Sequence, residues 1–221
     1  MISPHLNIEP GVLYFGTPVV LISTNNEDGS PNLAPFSSVF WLGWRCVLGL
    51  ASGSQTLRNM LRTGECVLNL PSIHEAGAVD RLALTSGSHS IPAAKKSRGY
   101  VYEADKFGRA GFTLVASETV AAPRALECPV HLEAAVAARH GIGGDKDNPR
   151  DFADVVEVRI QRVHAHPALL MNGDANRIDP DKWSPLIMSF QKFYGLSGQV
   201  HPSRLAEIPE RAYRGPGIGA S

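Results

Sequence analysis

The chain has 221 residues and a mass of 23.8 kDa, with 43% hydrophobic and 19% charged residues. That is enough apolar material for one substantial core, and it excludes a disordered or fibrous polymer. Lys plus Arg (21) equal Asp plus Glu (21), giving zero formal net charge, so the cationic excess from which nucleic-acid binders gain counterion-release energy is missing and no nucleic-acid partner is expected. Cys46, Cys66 and Cys128 are too few and too scattered for a disulfide framework or a metal knuckle. Each lies in an apolar stretch, and they are read as reduced, buried thiols of a cytoplasmic protein. The opening residues, Met1 to Gly16, lack a basic segment followed by an apolar one, and the most apolar stretch, 39–51, is interrupted by Arg45 and glycines. No membrane span is expected.

In chain order, residues 18–24 form a β-branched run that ends in a turn cluster, where Asp28-Gly29 supplies the positive φ of a hairpin. Asn32 to Phe40 should return as a strand with an interrupted ladder, because it contains Pro35, which has no N–H, and the pair Ser37-Ser38. Residues 45–51 and 65–70 are two further strands with one helix between them, Ser54 to Thr63. Its spacing puts Leu57, Met60 and Leu61 on one face and Arg58, Asn59 and Arg62 on the other. Ser52 or Ser54 can cap its start, and Gly64 ends it.

Ser72-Ile73-His74-Glu75 is a capping box that opens a second helix, with Val79, Leu82 and Ala83 on one side and an end near Ser86-Gly87. Gly87 to Arg109 shows no clear period and is read as a long excursion from the core, a candidate gate over a site. Val130 to Ala138 alternates as a half-buried strand. In the strand from Val156 the apolar phase slips by one residue at Gln161-Arg162, which predicts a β-bulge. Many short strands and few helices point to an antiparallel barrel or sandwich, since parallel units would need a helix after most strands.

Several familiar motifs fail on spacing. His74-Glu75 is followed by Ala78 where a zincin needs its second histidine. His164 and His166 sit two apart and could chelate, but an exposed polar strand face accounts for them, and no metal site is assigned. Residues 49–56 are one residue short of a Walker loop and lack its lysine. The glycines at 141–144 and 215–219 miss the dinucleotide fingerprint, and no nucleophile elbow exists.

Two adjacent polar pieces survive, Asn32 to Phe40 and Ala51 to Asn59. Ser52, Ser54 and Thr56 surround a helix N-terminus, where free N–H groups and the dipole suit a phosphate, although ordinary capping also explains them. Phe36, Phe40, Trp41 and Trp44 offer flat apolar surface beside the backbone of Ser37 and Ser38, suited to a planar heterocycle, although core packing also explains them.

The stretch YFGTPVVLISTNNEDGSPNLAPFSSVFWLGWRCVLGLASGSQTLRNMLRTGECVLNLPS, residues 14–72, resembles the flavin-reductase-like FMN-binding split-barrel family, and blocks at 106–136, 155–166 and 182–209 continue the resemblance. It implies a mainly β fold, a six-stranded antiparallel Greek-key split barrel. One domain spans 1–221, with its core at about 12–170 and a C-terminal extension from about 171 packing on the barrel or a partner subunit. It further implies a homodimer with FMN at or near the interface, and NAD(P)H as the electron donor. Carried over by position, the isoalloxazine contacts fall on Asn32, Ala34, Pro35, Phe36, Ser37 and Ser38, largely through main chain. The phosphate contacts fall on Ser52, Ser54, Thr56 and Arg58.

Two departures are visible. Ser54-Gln55 precedes Thr56 where many relatives carry a basic-acidic pair, and the tail reads His201-Pro202-Ser203-Arg204 instead of a glycine-histidine segment. The implied activity is NAD(P)H-dependent reduction of bound FMN with onward transfer to free flavin or another acceptor. The alternatives are a non-catalytic FMN-binding electron carrier and a split-barrel enzyme with another phosphorylated cofactor. No catalytic residue is assigned, because hydride transfer to a flavin depends on stacking and orientation more than on an acid-base side chain. Trp41, Trp44, Trp183 and Phe193 are candidates for covering the ring across a two-fold interface, with core packing as the competing role.

Overall fold

The computed structural model describes residues 5–144 and 152–213. The 215–219 glycines and the end of the C-terminal extension lie outside the described residues. The first half of the chain runs β1 (Phe15–Pro18), β2 (Val20–Asn25), β3 (Pro31–Phe36), β4 (Val39–Leu42), β5 (Arg45–Ala51), α1 (Gln55–Thr63), β6 (Glu65–Leu70) and α2 (Ala76–Leu82). Then come β7 (Thr85–Ser86), α3 (Ala93–Lys96), β8 (Val101–Tyr102), α4 (Lys106–Ala110), β9 (Leu114–Val115) and β10 (Arg124–Ala125). The long strands β11 (Val130–Ile142) and β12 (Ala153–Ala165) follow, and β13 (Leu170–Met171), β14 (Asp174–Ile178), β15 (Ile187–Ser189) and β16 (Lys192–Tyr194) complete the set.

The main sheet is antiparallel, in the order β3-β2-β6-β11-β12-β5-β4. Its two edges, β3 and β4, are consecutive in the chain and separated only by Ser37 and Ser38. A sheet whose two edges are halves of one broken strand must curl until they meet, so the seven segments make a six-stranded barrel. The break follows from composition: Phe36 pairs with Val20 and Val39 with Leu48, which leaves both serines out of the paired register, Ser38 keeping only its carbonyl on β5, where it accepts from the Gly49 N–H at 2.8 Å.

The barrel interior is filled by Val20, Ile22, Leu48, Leu68, Val156 and Val158, and α1 contributes Leu57 and Met60 from one end. Outside the barrel, Leu21 and Leu33 meet Val79 and Leu82 of α2, Phe107 of α4 and Leu186 in a second apolar cluster. β15 and β16 extend β1 into a separate three-stranded sheet, so part of the C-terminal extension packs beside the barrel.

The turn has Gly29 at φ 83, and α1 runs from an N-cap at Ser54 to Gly64 at φ 73. The bulge also lies where the phase slip puts it: Glu133 pairs with Arg162 and Ala134 with Ile160, leaving Gln161 extra. Four expectations need correction. Leu61 is exposed and Asn59 buried, reversing two positions on α1, because Asn59 is held in an amide network. The second helix ends at Leu82, with Ala83 exposed. The chain then becomes β7, held in parallel to β8 by Val101 N–H to Leu84 O at 3.0 Å. The Gly87–Arg109 excursion returns to the core before its end, since Lys106 and Phe107 are buried. Finally, His164 is more than a polar face residue: its Nε2 lies 2.8 Å from the buried carboxylate of Glu133. The His166 ring caps the turn at 167–169.

Glu133 is fully buried and also accepts from Glu118 N–H at 2.9 Å and the Thr119 hydroxyl at 2.6 Å. Burial alone would raise its carboxyl, but those bonds, with the Thr119 N–H and His164, outweigh it and bring it down to about 2. A depressed folded-state value stabilises the fold above the ordinary carboxylate value, and that contribution is lost as pH falls from there toward about 2. Glu133→Gln is therefore expected to lower the unfolding free energy at neutral pH by about 3 kcal/mol and to flatten the acid limb, both read by urea unfolding across pH.

Candidate functional site

The start of α1 is fixed against the barrel end by side-chain amides and hydroxyls. Asn59 Nδ2 donates to the Thr24 hydroxyl at 3.0 Å and to Asn26 Oδ1 at 2.9 Å, and Gln55 Nε2 donates to Asn59 Oδ1 at 2.9 Å. Asn32 Nδ2 reaches the Thr56 hydroxyl at 3.2 Å. That hydroxyl accepts from Asn32 and keeps its own proton to donate. Ser54 Oγ caps the Leu57 N–H at 3.2 Å. The N–H groups of Gln55 and Thr56, in the first turn, precede any intrahelical partner.

Beside this terminus lies a cavity of about 470 Å³, walled by β3, the Ser37-Ser38 break, α2, the 85–87 segment and the excursion. Val19, Val79, Leu82, Met188 and Phe193 give it an apolar side. Gly87 is required where it stands, because a Cβ there would lie 2.3 Å from Asn32 Oδ1. β3 has a strand partner on one side only, so its second edge can offer backbone groups to a guest.

Of the ten sequence-derived site residues, Asn32, Ala34, Pro35, Phe36, Ser37, Ser38, Ser54 and Thr56 line this one cavity. Ser52 and Arg58 do not. Ser52 is turned to the buried Asp154: burial would raise that carboxyl, but the bonded Arg139 guanidinium and the Ser52 hydroxyl hold it below the usual range. Arg58 is exposed and bonds Gly53 O at 2.8 Å and Gln55 Oε1 at 2.7 Å, bracing the loop before α1. Among the aromatic candidates, Trp41 and Trp183 pack on the barrel core, Phe193 lines the cavity and Trp44 is exposed.

Sequence reasoning missed the cations. Lys95, Arg98 and Lys106 all line the cavity, with Tyr100 beneath Lys95 at 5.4 Å. Burial, reinforced by Arg98 and Arg58, lowers the Lys95 amine. Burial, with Lys95 adding to it, brings Lys106 down to about 8, against a smaller opposing pull from Glu103. The signal was the basic run Lys95-Lys96-Ser97-Arg98, but nothing in an aperiodic excursion says where it lands. Among the described residues no carboxylate lines the cavity. The arrangement therefore suits an anionic group at one end and a flat apolar body at the other.

The flavin reductase like domain family matches residues 12–197. The chain belongs to that family. It is 38% identical over 193 residues to YdfE of Bacillus subtilis (strain 168), covering 87% of this chain and 90% of that protein. In fold it is similar to the flavoredoxin of Methanosarcina acetivorans, at TM-score 0.72 and 18% identity over 91% of this chain and 96% of that one. It is likewise similar to nitrilotriacetate monooxygenase component B from Bacillus cereus, at TM-score 0.71 and 18% identity over 90% of this chain and all (100%) of that one. The split-barrel fold of the family and the closure of β3 onto β4 agree.

Because the amide network fixes α1, truncating its centre leaves Thr24, Asn26 and Gln55 short of partners. Asn59→Ala is expected to lower stability by about 2 kcal/mol, measured by urea unfolding, whereas Leu61→Ala on the exposed face should change it by less than about 0.5 kcal/mol.

Proposed function

We propose that the protein is an FMN-dependent oxidoreductase of the flavin reductase type, in which NAD(P)H reduces bound FMN and the electrons pass to free flavin or another acceptor. The observation that carries the reading is one cavity joining a helix N-terminus and three cations to an apolar wall and an open strand edge. The donor set fits the cofactor. The Gln55 and Thr56 N–H groups, the Ser54 and Thr56 hydroxyls, Lys95 and Arg98 would hold the phosphate, and β3 with Ser37 and Ser38 would hold the ring through main chain. Bound there, the flavin would supply two-electron chemistry. The chain's own part is to fix the ring's orientation, hold the phosphate charge and keep water from the apolar side.

A homodimer belongs to the proposal. Phe15, Phe40, Leu42 and Trp44 are exposed by 74%, 52%, 71% and 41%, more apolar surface than an isolated chain usually shows, and a second copy would cover it. Gel filtration with light scattering is expected to give twice the 23.8 kDa chain mass; a monomer at micromolar concentration would contradict this. A cytoplasmic location fits the three free, buried cysteines. Among the described residues no helix is long and apolar enough to cross a membrane.

The second reading, a flavin-bearing electron carrier inert to nicotinamides, draws on the fold shared with flavoredoxins and on the altered tail. One experiment separates the two. Purified protein is expected to show a flavin spectrum that NADH or NADPH bleaches without oxygen. A flavin spectrum unchanged by both nicotinamides favours the carrier, and colourless protein that cannot be reconstituted contradicts both.

A further inference from the structure

Lys106 is 3% exposed, lines the cavity, and has no carboxylate within ion-pair distance among the described residues. A buried ammonium without an anion is costly, and Lys106 is fixed in that position. It opens α4, whose Phe107 and Ala110 are locked into the apolar cluster with Leu33 of β3, so it stands at the wall formed by the strand edge. The phosphate end of the cavity is supplied separately, by the α1 terminus, Lys95 and Arg98, with Arg58 nearby. Lys106 therefore stands with β3 and the apolar cluster rather than on α1.

We infer that Lys106 holds its positive charge against the ring system of the bound flavin and favours the reduced form, raising the midpoint potential. The inference rests on the flavin reading above and adds a residue and a role to it. Uptake of a hydride adds two electrons and one proton to a neutral isoalloxazine, which leaves one negative charge on the ring until a second proton arrives from solvent. A protonated amine facing that ring interacts with the reduced form and hardly with the oxidised one. The difference appears as a potential. Glu103 pulls the other way on Lys106, and the two form no ion pair.

The test uses the full-length holoprotein and the variants Lys106→Met, Lys106→Gln and Lys106→Arg, each checked for cooperative urea unfolding. Midpoint potentials are read at neutral pH by equilibration with a reference dye, and dissociation constants of oxidised FMN by fluorescence. Lys106→Met is expected to bind oxidised FMN within about threefold of wild type while losing at least tenfold in preference for reduced over oxidised flavin. For a two-electron couple that is a potential about 30 mV more negative. Lys106→Arg should keep the wild-type potential, and Lys106→Gln should follow Met and serves if Met does not fold.

An unchanged potential in the Met and Gln variants overturns the inference. So does a tenfold loss of oxidised FMN with the preference intact, which would make Lys106 a phosphate ligand. Wild-type protein that binds no flavin overturns the proposed function along with this inference, so the two failures are told apart in the first measurement.

Discussion

The amide and hydroxyl network that seats α1 on the end of the barrel is the constraint from which the rest of the site follows. Helix α1 has only nine residues, too few to be stable alone. Leu57 and Met60 anchor it in the barrel core, but they would tolerate rotation about the axis. Thr24, Asn32, Thr56 and Asn59 remove that freedom, because a buried amide that misses its partners costs more than the bond itself contributes. The same bonds aim the first turn at the cavity and present the Thr56 hydroxyl with a proton to give. Stability and ligand geometry thus share one set of side chains.

Closure of the barrel is the second constraint, and it has the same local origin. Pro35 cannot donate to a neighbour and Ser37-Ser38 have little reason to stay in a ladder, so one strand becomes two and its halves serve opposite edges of the sheet. The break leaves polar backbone beside the helix terminus. A defect in regular structure is here the element that lets a ligand meet main chain.

Much of this was legible in the sequence because it depends on local chemistry. Gly29, Gly64, the Ser72–Glu75 capping box and the phase slip at Gln161 each announce a backbone event within a few residues, and each lies where it was read. Eight of the ten site residues share one cavity because they belong to two pieces that adjoin in the chain. What failed was long-range. Asn59 looked like surface because its partners, Thr24 and Asn26, lie more than thirty residues away. Ser52 looked like a phosphate ligand because nothing near it in sequence reveals Asp154. Lys95, Arg98 and Lys106 sit in a segment without period, and only the folded chain shows that a molecule of zero net charge sets these three cations around one cavity.

The central claim is that the α1 end of this cavity, with Lys95 and Arg98, recognises a phosphate and the adjoining strand edge a flat ring. The most direct measurement is a fluorescence titration of flavin-free protein with FMN and, separately, with riboflavin, which carries the same ring without the phosphate. Tighter binding of FMN by about a hundredfold or more, as two or three charge-assisted hydrogen bonds would give, is the predicted result. Equal affinities for the two flavins would contradict it.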